Sequence, residues 1–288
     1  MSNRRINMRK LVIAVMITFI FAGNSFGADI DIGEGYHVQD GFSSILITNS
    51  DGTAIQNAVD HIKDGGTVEL SGDFKLKRNI TINKNLTLRG TTNALLSHDQ
   101  ETPKTFCIIT CEGSNDITLE NLTITGGMKT KGAGINISGG SIKIISCDIH
   151  DNFSWLGGGA VCSFAETLIL KSCDIHDNKS TALGGGLVIG SSKVTITDCS
   201  ITKNTAAMTG GGLLARSSDI TMENCKIKEN ISTFAGTGVK LMGTKLKAIS
   251  CDISDNFIMS RDQGIPNPEA NISYDDNSIY EEVEQEGK

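Results

Sequence analysis

The chain has 288 residues, room for one large domain or two small ones. Its 32 Gly, 3 Pro and 5% aromatic content exclude a core built on large aromatic side chains and favour a regular, turn-rich stack. A formal charge of -7 without a basic stripe argues against nucleic acid as a partner.

Residues 1–27 read as a signal peptide. Arg4, Arg5, Arg9 and Lys10 form a positive n-region, residues 11–22 are apolar, and Ser25 and Gly27 supply small residues ahead of a cleavage point before Ala28. The apolar run is short of the ~20 residues a membrane-spanning helix needs. No second such run follows, so no membrane span is expected after cleavage. Export would permit disulfides among the eight Cys.

Residues 28–115 read as an N-terminal cap and the first coils. Ile55, Ala58, Val59 and Ile62 share a helical face, which predicts an amphipathic helix over 53–63. Thr53 with Gln56 is a capping-box pattern, and Gly65-Gly66 stops the helix. Short strands are expected at 45–47, 67–70, 74–76, 80–82, 86–88 and 106–110, with 91–105 a loop outside the stack.

Residues 116–270 are regular repeats. From Ser141 a 26-residue unit is written five times, with rows beginning at Ser141, Thr167, Lys193, Asp219 and Lys245. The seventh position is Cys147, Cys173, Cys199, Cys225 and Cys251; the ninth is always Ile; the twelfth is Asn152, Asn178, Asn204, Asn230 and Asn256. A degenerate row of 25 residues begins at Asp116. A fixed period of this length marks a solenoid.

Within a row, positions 2, 4, 7 and 9 are apolar. Period-2 alternation means half-buried strands, and the three-residue gap between positions 4 and 7 requires a bend at positions 5–6. A third strand follows the glycines. These features predict an all-β fold, a right-handed parallel β-helix with about 26 residues per coil and a short N-terminal capping helix. The Asn ladder is expected to tolerate left-handed backbone and to bond along the stack. Gly134, Gly159, Gly186, Gly212, Gly238 and Gly264, ahead of the third strand, are expected to turn with positive φ. After Pro266 and Pro268 the repeat fades, and residues 271–288 read as an acidic, disordered tail.

The Cys-x-Ile-x-x-Asn rows with their glycines resemble the repeats of polymorphic outer membrane proteins and of adhesin-like surface proteins of methanogens. Gly158-Gly159-Ala160-Val161 and Cys225-Lys226-Ile227-Lys228-Glu229-Asn230 come closest to that signature, with Ile where those repeats carry an aromatic. Residues 54–90 resemble the opening of pectin-lyase-like right-handed β-helices. The resemblance implies a secreted or cell-surface location and an adhesin-like or structural role, with a surface polysaccharide or another surface protein as partner. The paired-Asp, Gly-His-Gly and Arg-x-Lys segments of β-helix pectinases do not occur as a set. A polysaccharide lyase or glycoside hydrolase stays open as the alternative.

The Cys ladder reads as small, buried, weakly polar side chains, since ligands in one straight stack cannot make a tetrahedral metal site. Chemistry is sought where rows differ on the outside. Asp148, His150, Asp174 and His176 flank inward Ile149 and Ile175, so two Asp-x-His pairs should stack into one outward patch with Asp151 and Asp177 beside it. They are the candidates for acid–base work on a polysaccharide, or for a divalent cation. The alternative is that adjacent copies of a repeat share surface residues by duplication. Phe153 and Trp155 follow in the same row, placed to stack on a sugar ring or to pack over the turn. No cofactor is expected.

Overall fold

The computed structural model describes residues 29–33, 36–39, 41–48, 52–99, 101, 105–259, 265–266 and 271–284. The expected signal peptide and Gly264 lie outside these residues. The chain winds as a parallel β-solenoid. Ser141–Ile145 pairs with Thr167–Lys171, then Lys193–Thr197, Asp219–Glu223 and Lys245–Ile249, in one unbroken 26-residue register. An eight-stranded sheet holds the segments after the glycines, one per turn, from Ile80–Ile82 to Ile272–Ser273, which gives eight turns. Inward Ile, Leu and Val from all sides form one continuous core running the length of the stack. Burying each such side chain contributes roughly 1.5–3 kcal/mol.

The coil has four strands rather than the expected three. A seven-stranded sheet follows the Asn ladder, including Phe153–Gly157, Lys179–Ser180, Thr205–Ala206 and Ile231–Ser232. Most of its strands are two residues long, too short for alternation to show in sequence. The bend required at positions 5–6 falls at position 6, where Ser146, Ser172, Asp198, Asn224 and Ser250 all have φ of 51–54°. A second left-handed corner falls at position 11, at Asp151, Asp177, Lys203, Glu229 and Asp255. The ladder Asn itself is therefore not the left-handed residue.

The glycines divide their work differently from the expectation. Positive φ belongs to the glycine at position 18 of each row, Gly158, Gly184, Gly210 and Gly236, at 65°, 55°, 69° and 82°. The last of each set is needed for close approach. A Cβ on Gly212 would stand 2.7 Å from the Gly238 carbonyl oxygen and 3.0 Å from Asn230 Nδ2.

At the N-terminal end a helix, Thr53–His61, buries Ala54, Ile55, Ala58 and Val59. The capping box is not made. Gly52 is the N-cap at φ 85° with no side-chain cap bond. Gln56 instead accepts from Thr81 N at 2.7 Å and donates to Thr81 O at 3.1 Å, stitching the helix to Ile80–Ile82. The region expected to loop out over 91–105 largely belongs to a long strand, Leu86–His98, with Ala94 and Leu96 buried. A register irregularity between Arg89 and Ala94 hides its period.

The acidic tail carries one more rung where disorder was expected. Ile272–Ser273 pairs with Val239–Met242, and Ile279–Val283 with Lys245–Ile249. Glu282 stands opposite the buried Ala248 and reaches solvent, because no described coil lies beyond it. That Glu at an inward register position is why the apolar pattern breaks there.

Candidate functional site

Two buried ladders hold the outer face in place. Each ladder Asn donates from its main-chain N and its Nδ2 to the side-chain oxygen of the next; for Asn178 onto Asn204 Oδ1 these are 3.1 and 3.0 Å. Nδ2 also donates to the carbonyl of the preceding coil, Ile149 O at 2.8 Å. The chain of bonds opens with Gly127 N on Asn152 Oδ1 at 2.9 Å and closes with Asn256 on Asn271 Oδ1. The five ladder Cys are free thiols, each bonded weakly back to the carbonyl two residues earlier, as Cys199 Sγ to Thr197 O at 3.2 Å. Burial pushes the Cys147 pKa up to about 12. The contact with Cys173 pushes Cys199 up to about 12, and that with Cys199 pushes Cys225 up to about 11. Protonated at neutral pH, these thiols are not nucleophiles.

On this frame the Asp-x-His pairs come together as the spacing requires. Asp148 pairs with Asp174, Ile149 with Ile175 and His150 with His176. Both Ile are fully buried, so the residues flanking them face outward. The two imidazoles stack with centroids 5.0 Å apart and planes 9° from parallel. The Asp after each His holds it: Asp151 Oδ2 lies 2.9 Å from His150 Nδ1, and Asp177 Oδ2 lies 2.8 Å from His176 Nδ1. His176 Nε2 reaches back to Asp148 Oδ1 at 3.1 Å. Burial works against the imidazolium of His176. The Asp177 hydrogen bond and the charges of Asp148, Asp174 and Asp177 outweigh it and hold the pKa above the ordinary histidine value.

The patch can bind a hydrogen-bonding ligand and can hold a proton on His176 between two carboxylates. Among the described residues no three His, Cys, Asp or Glu side chains converge to hold a metal ion. The reason is local, since both nitrogens of His176 and one of His150 are already directed at carboxylates. In the next coils the same outward register holds Ser200 and Thr202, then Lys226 and Lys228. Lys228 is tied to Asp252 at 2.8 Å and Asp255 at 3.2 Å.

Phe153 and Trp155 pack edge to face with centroids 5.4 Å apart. Trp155 remains 39% exposed, so one ring face stays open above the turn. Sequence reasoning did not single out Thr125, whose Oγ1 lies 3.4 Å from His150 Nδ1 in the coil before. Its signal was the register of the degenerate row, which sets Thr125 opposite His150. A shallow depression lies on the neighbouring run of first strands, lined by Asp116, Thr118, Ser141, Lys143, Thr167 and Ile169.

No curated protein matches the chain. Residues 107–280 match the family model described as the right handed beta helix region, and the chain belongs to that family.

Proposed function

We propose that this chain is an exported β-helix module, adhesin-like or structural, that binds a surface polysaccharide or a surface protein through its outward repeat face. The observation that supports this most is the in-register pair of coils. Asp148 over Asp174 and His150 over His176 present the same donors and acceptors twice, one strand spacing apart. A ligand with a repeating unit gains a second contact from the adjacent coil at little further entropic cost. The signal-peptide pattern of residues 1–27 and the resemblance to polymorphic outer membrane and adhesin-like repeats support a secreted or cell-surface location. In this reading the helix Thr53–His61 serves as the cap that the first rung of a solenoid requires. A glycan array probed with the wild-type chain and with Asp148→Asn/Asp174→Asn tests the reading. Binding to a defined polymer that weakens in the double variant is expected. A wholly negative array together with no protein ligand from a surface display library overturns it.

The enzymatic alternative rests on one contact, His176 against Asp148 at 3.1 Å, an acid–base pair on an open face. A depolymerisation screen on uronic-acid polymers decides it. Product release that is lost in Asp174→Ala supports a lyase or hydrolase, and no product from any polymer removes it.

A further inference from the structure

The solenoid is two-sided in charge. The chain carries 33 Asp and Glu, yet residues 128–138, 153–163, 179–189, 205–215 and 231–241 contain none. These segments are the same part of five successive coils, the strand after the Asn ladder, the glycine turn and the strand that follows it. The Asp and Glu of the coils lie outside them, with the Asp-x-His patch. Positions 13–16 of the coils carry most of the large apolar side chains left in solvent among the described residues. Met128, Trp155, Leu156, Met208, Phe234 and Met259 are 39–60% exposed and fall at positions 13–16 of their coils. They mark a ridge spanning six coils, about 24 Å at one strand spacing per coil, interrupted in the coil that begins at Thr167, where Lys179 stands in their place. Lys129, Lys131 and Lys179 lie in the same seven-stranded sheet, exposed and without an ion pair among the described residues.

We infer that this side docks on an anionic lipid surface. Trp, Phe, Leu and Met side chains projecting from a rigid edge enter the headgroup layer of a bilayer, where Trp is favoured. Lysines beside them meet lipid phosphates, and the five segments themselves hold no carboxylate. The nearest acidic residues of these coils, Asp151, Asp177 and Glu229, stand at the left-handed corner two residues before these strands, and Asp151 and Asp177 are held by His150 and His176. A second copy fits this ridge less well. A strip about 24 Å long and one side chain wide buries far less than the ~800 Å² per partner of a stable protein interface. Docked in this way, the chain turns its Asp-x-His face away from the membrane. The inference does not depend on what that face binds.

Trp155 is the single tryptophan and sits on the ridge, so it reports directly. The full chain is mixed with phosphatidylcholine vesicles containing phosphatidylglycerol, with and without brominated acyl chains. The expected result is a blue shift of Trp155 emission and loss of most of that emission with brominated lipid. Lys129→Glu/Lys179→Glu should weaken vesicle binding about tenfold or more, and Met208→Ser/Phe234→Ser should reduce the quenching. All four positions are exposed, so these variants keep the fold. Residues 1–27 alone can hold the chain on a vesicle, but they cannot bring Trp155 into contact with bromine. Unquenched Trp155 on vesicle-bound protein overturns the inference. So does a blue shift that follows protein concentration in lipid-free buffer, which marks self-association.

Discussion

The Asn ladder and the Cys ladder repeat equally well in sequence and do unequal work. Both run through five coils at one residue per coil, and both face inward. Each Asn joins its own main chain, the next side chain and the previous coil by bonds of 2.8–3.1 Å. Each Cys makes only weak sulfur bonds, to the carbonyl two residues earlier and, at Cys147, Cys173 and Cys225, to a carbonyl of the previous coil; Cys199 Sγ also accepts from Cys173 N at 3.4 Å. A residue repeats whenever its neighbours above and below are copies of itself. Repetition therefore measures stacking geometry, and only the bonding reveals energy.

Substitution should separate the two ladders clearly. Asn204→Ala strips the acceptor from Asn178 N and Nδ2 and the donor from Ile175 O, all in the interior. Asn178 Nδ2 keeps Ile149 O and His176 O, so two groups lose their side-chain partner at about 1–3 kcal/mol each, and a loss of about 2–6 kcal/mol is expected by urea unfolding. A loss no larger than that of the Cys variant described below would remove the distinction. Gly212→Ala comes next. Its Cβ meets the Gly238 carbonyl oxygen at 2.7 Å and the Asn230 amide at 3.0–3.1 Å, so it pushes on the ladder itself. Overpacking of this kind costs about 1–3 kcal/mol. Gly212 has no positive φ, so the whole effect should come from crowding, and Asn230→Ala should relieve part of it in a double-mutant cycle. Cys199→Ala removes a small buried group and two weak sulfur bonds, one to Thr197 O and one from Cys173 N, for about 1–2 kcal/mol by the same measurement.

The same contrast marks how far the sequence could be read. The inward Cys, Ile and Asn were legible because each must match its own copy in the coils beside it, and a 26-residue period follows directly. The bend at Ser146 and its equivalents was legible from the three-residue gap in the apolar pattern. The left-handed corner at Asp151, Asp177, Lys203, Glu229 and Asp255 was not, because those exposed positions share a backbone shape and no residue type. The last rung was hidden by Tyr280 and Glu282 at inward register positions that the end of the stack leaves partly open. At the patch, sequence placed the two Asp and two His on one face. It could not give the ring stack, nor the choice of Asp148 as the partner of His176 Nε2.

The smallest effect tests the outer face. His176 has its pKa raised in the folded chain relative to its ordinary value of 6.5. A group raised on folding stabilises fully below its unfolded pKa, and that contribution fades as pH rises through the folded value. His176→Gln keeps a hydrogen-bonding side chain beside Asp148 and Asp177 but cannot carry the charge. Wild type should therefore exceed the variant in stability at pH about 5.5, and the gap should close by pH about 8.5. The side chain is 27% exposed, so solvent screening holds the gap to about 1 kcal/mol or less. The charged ring must also tolerate His150 stacked 5.0 Å away, which limits the gain. Urea midpoints measured at the two pH values read the difference. A gap of equal size at both would mean that His176 serves the patch by its shape and neutral hydrogen bonds, with no contribution from its charge.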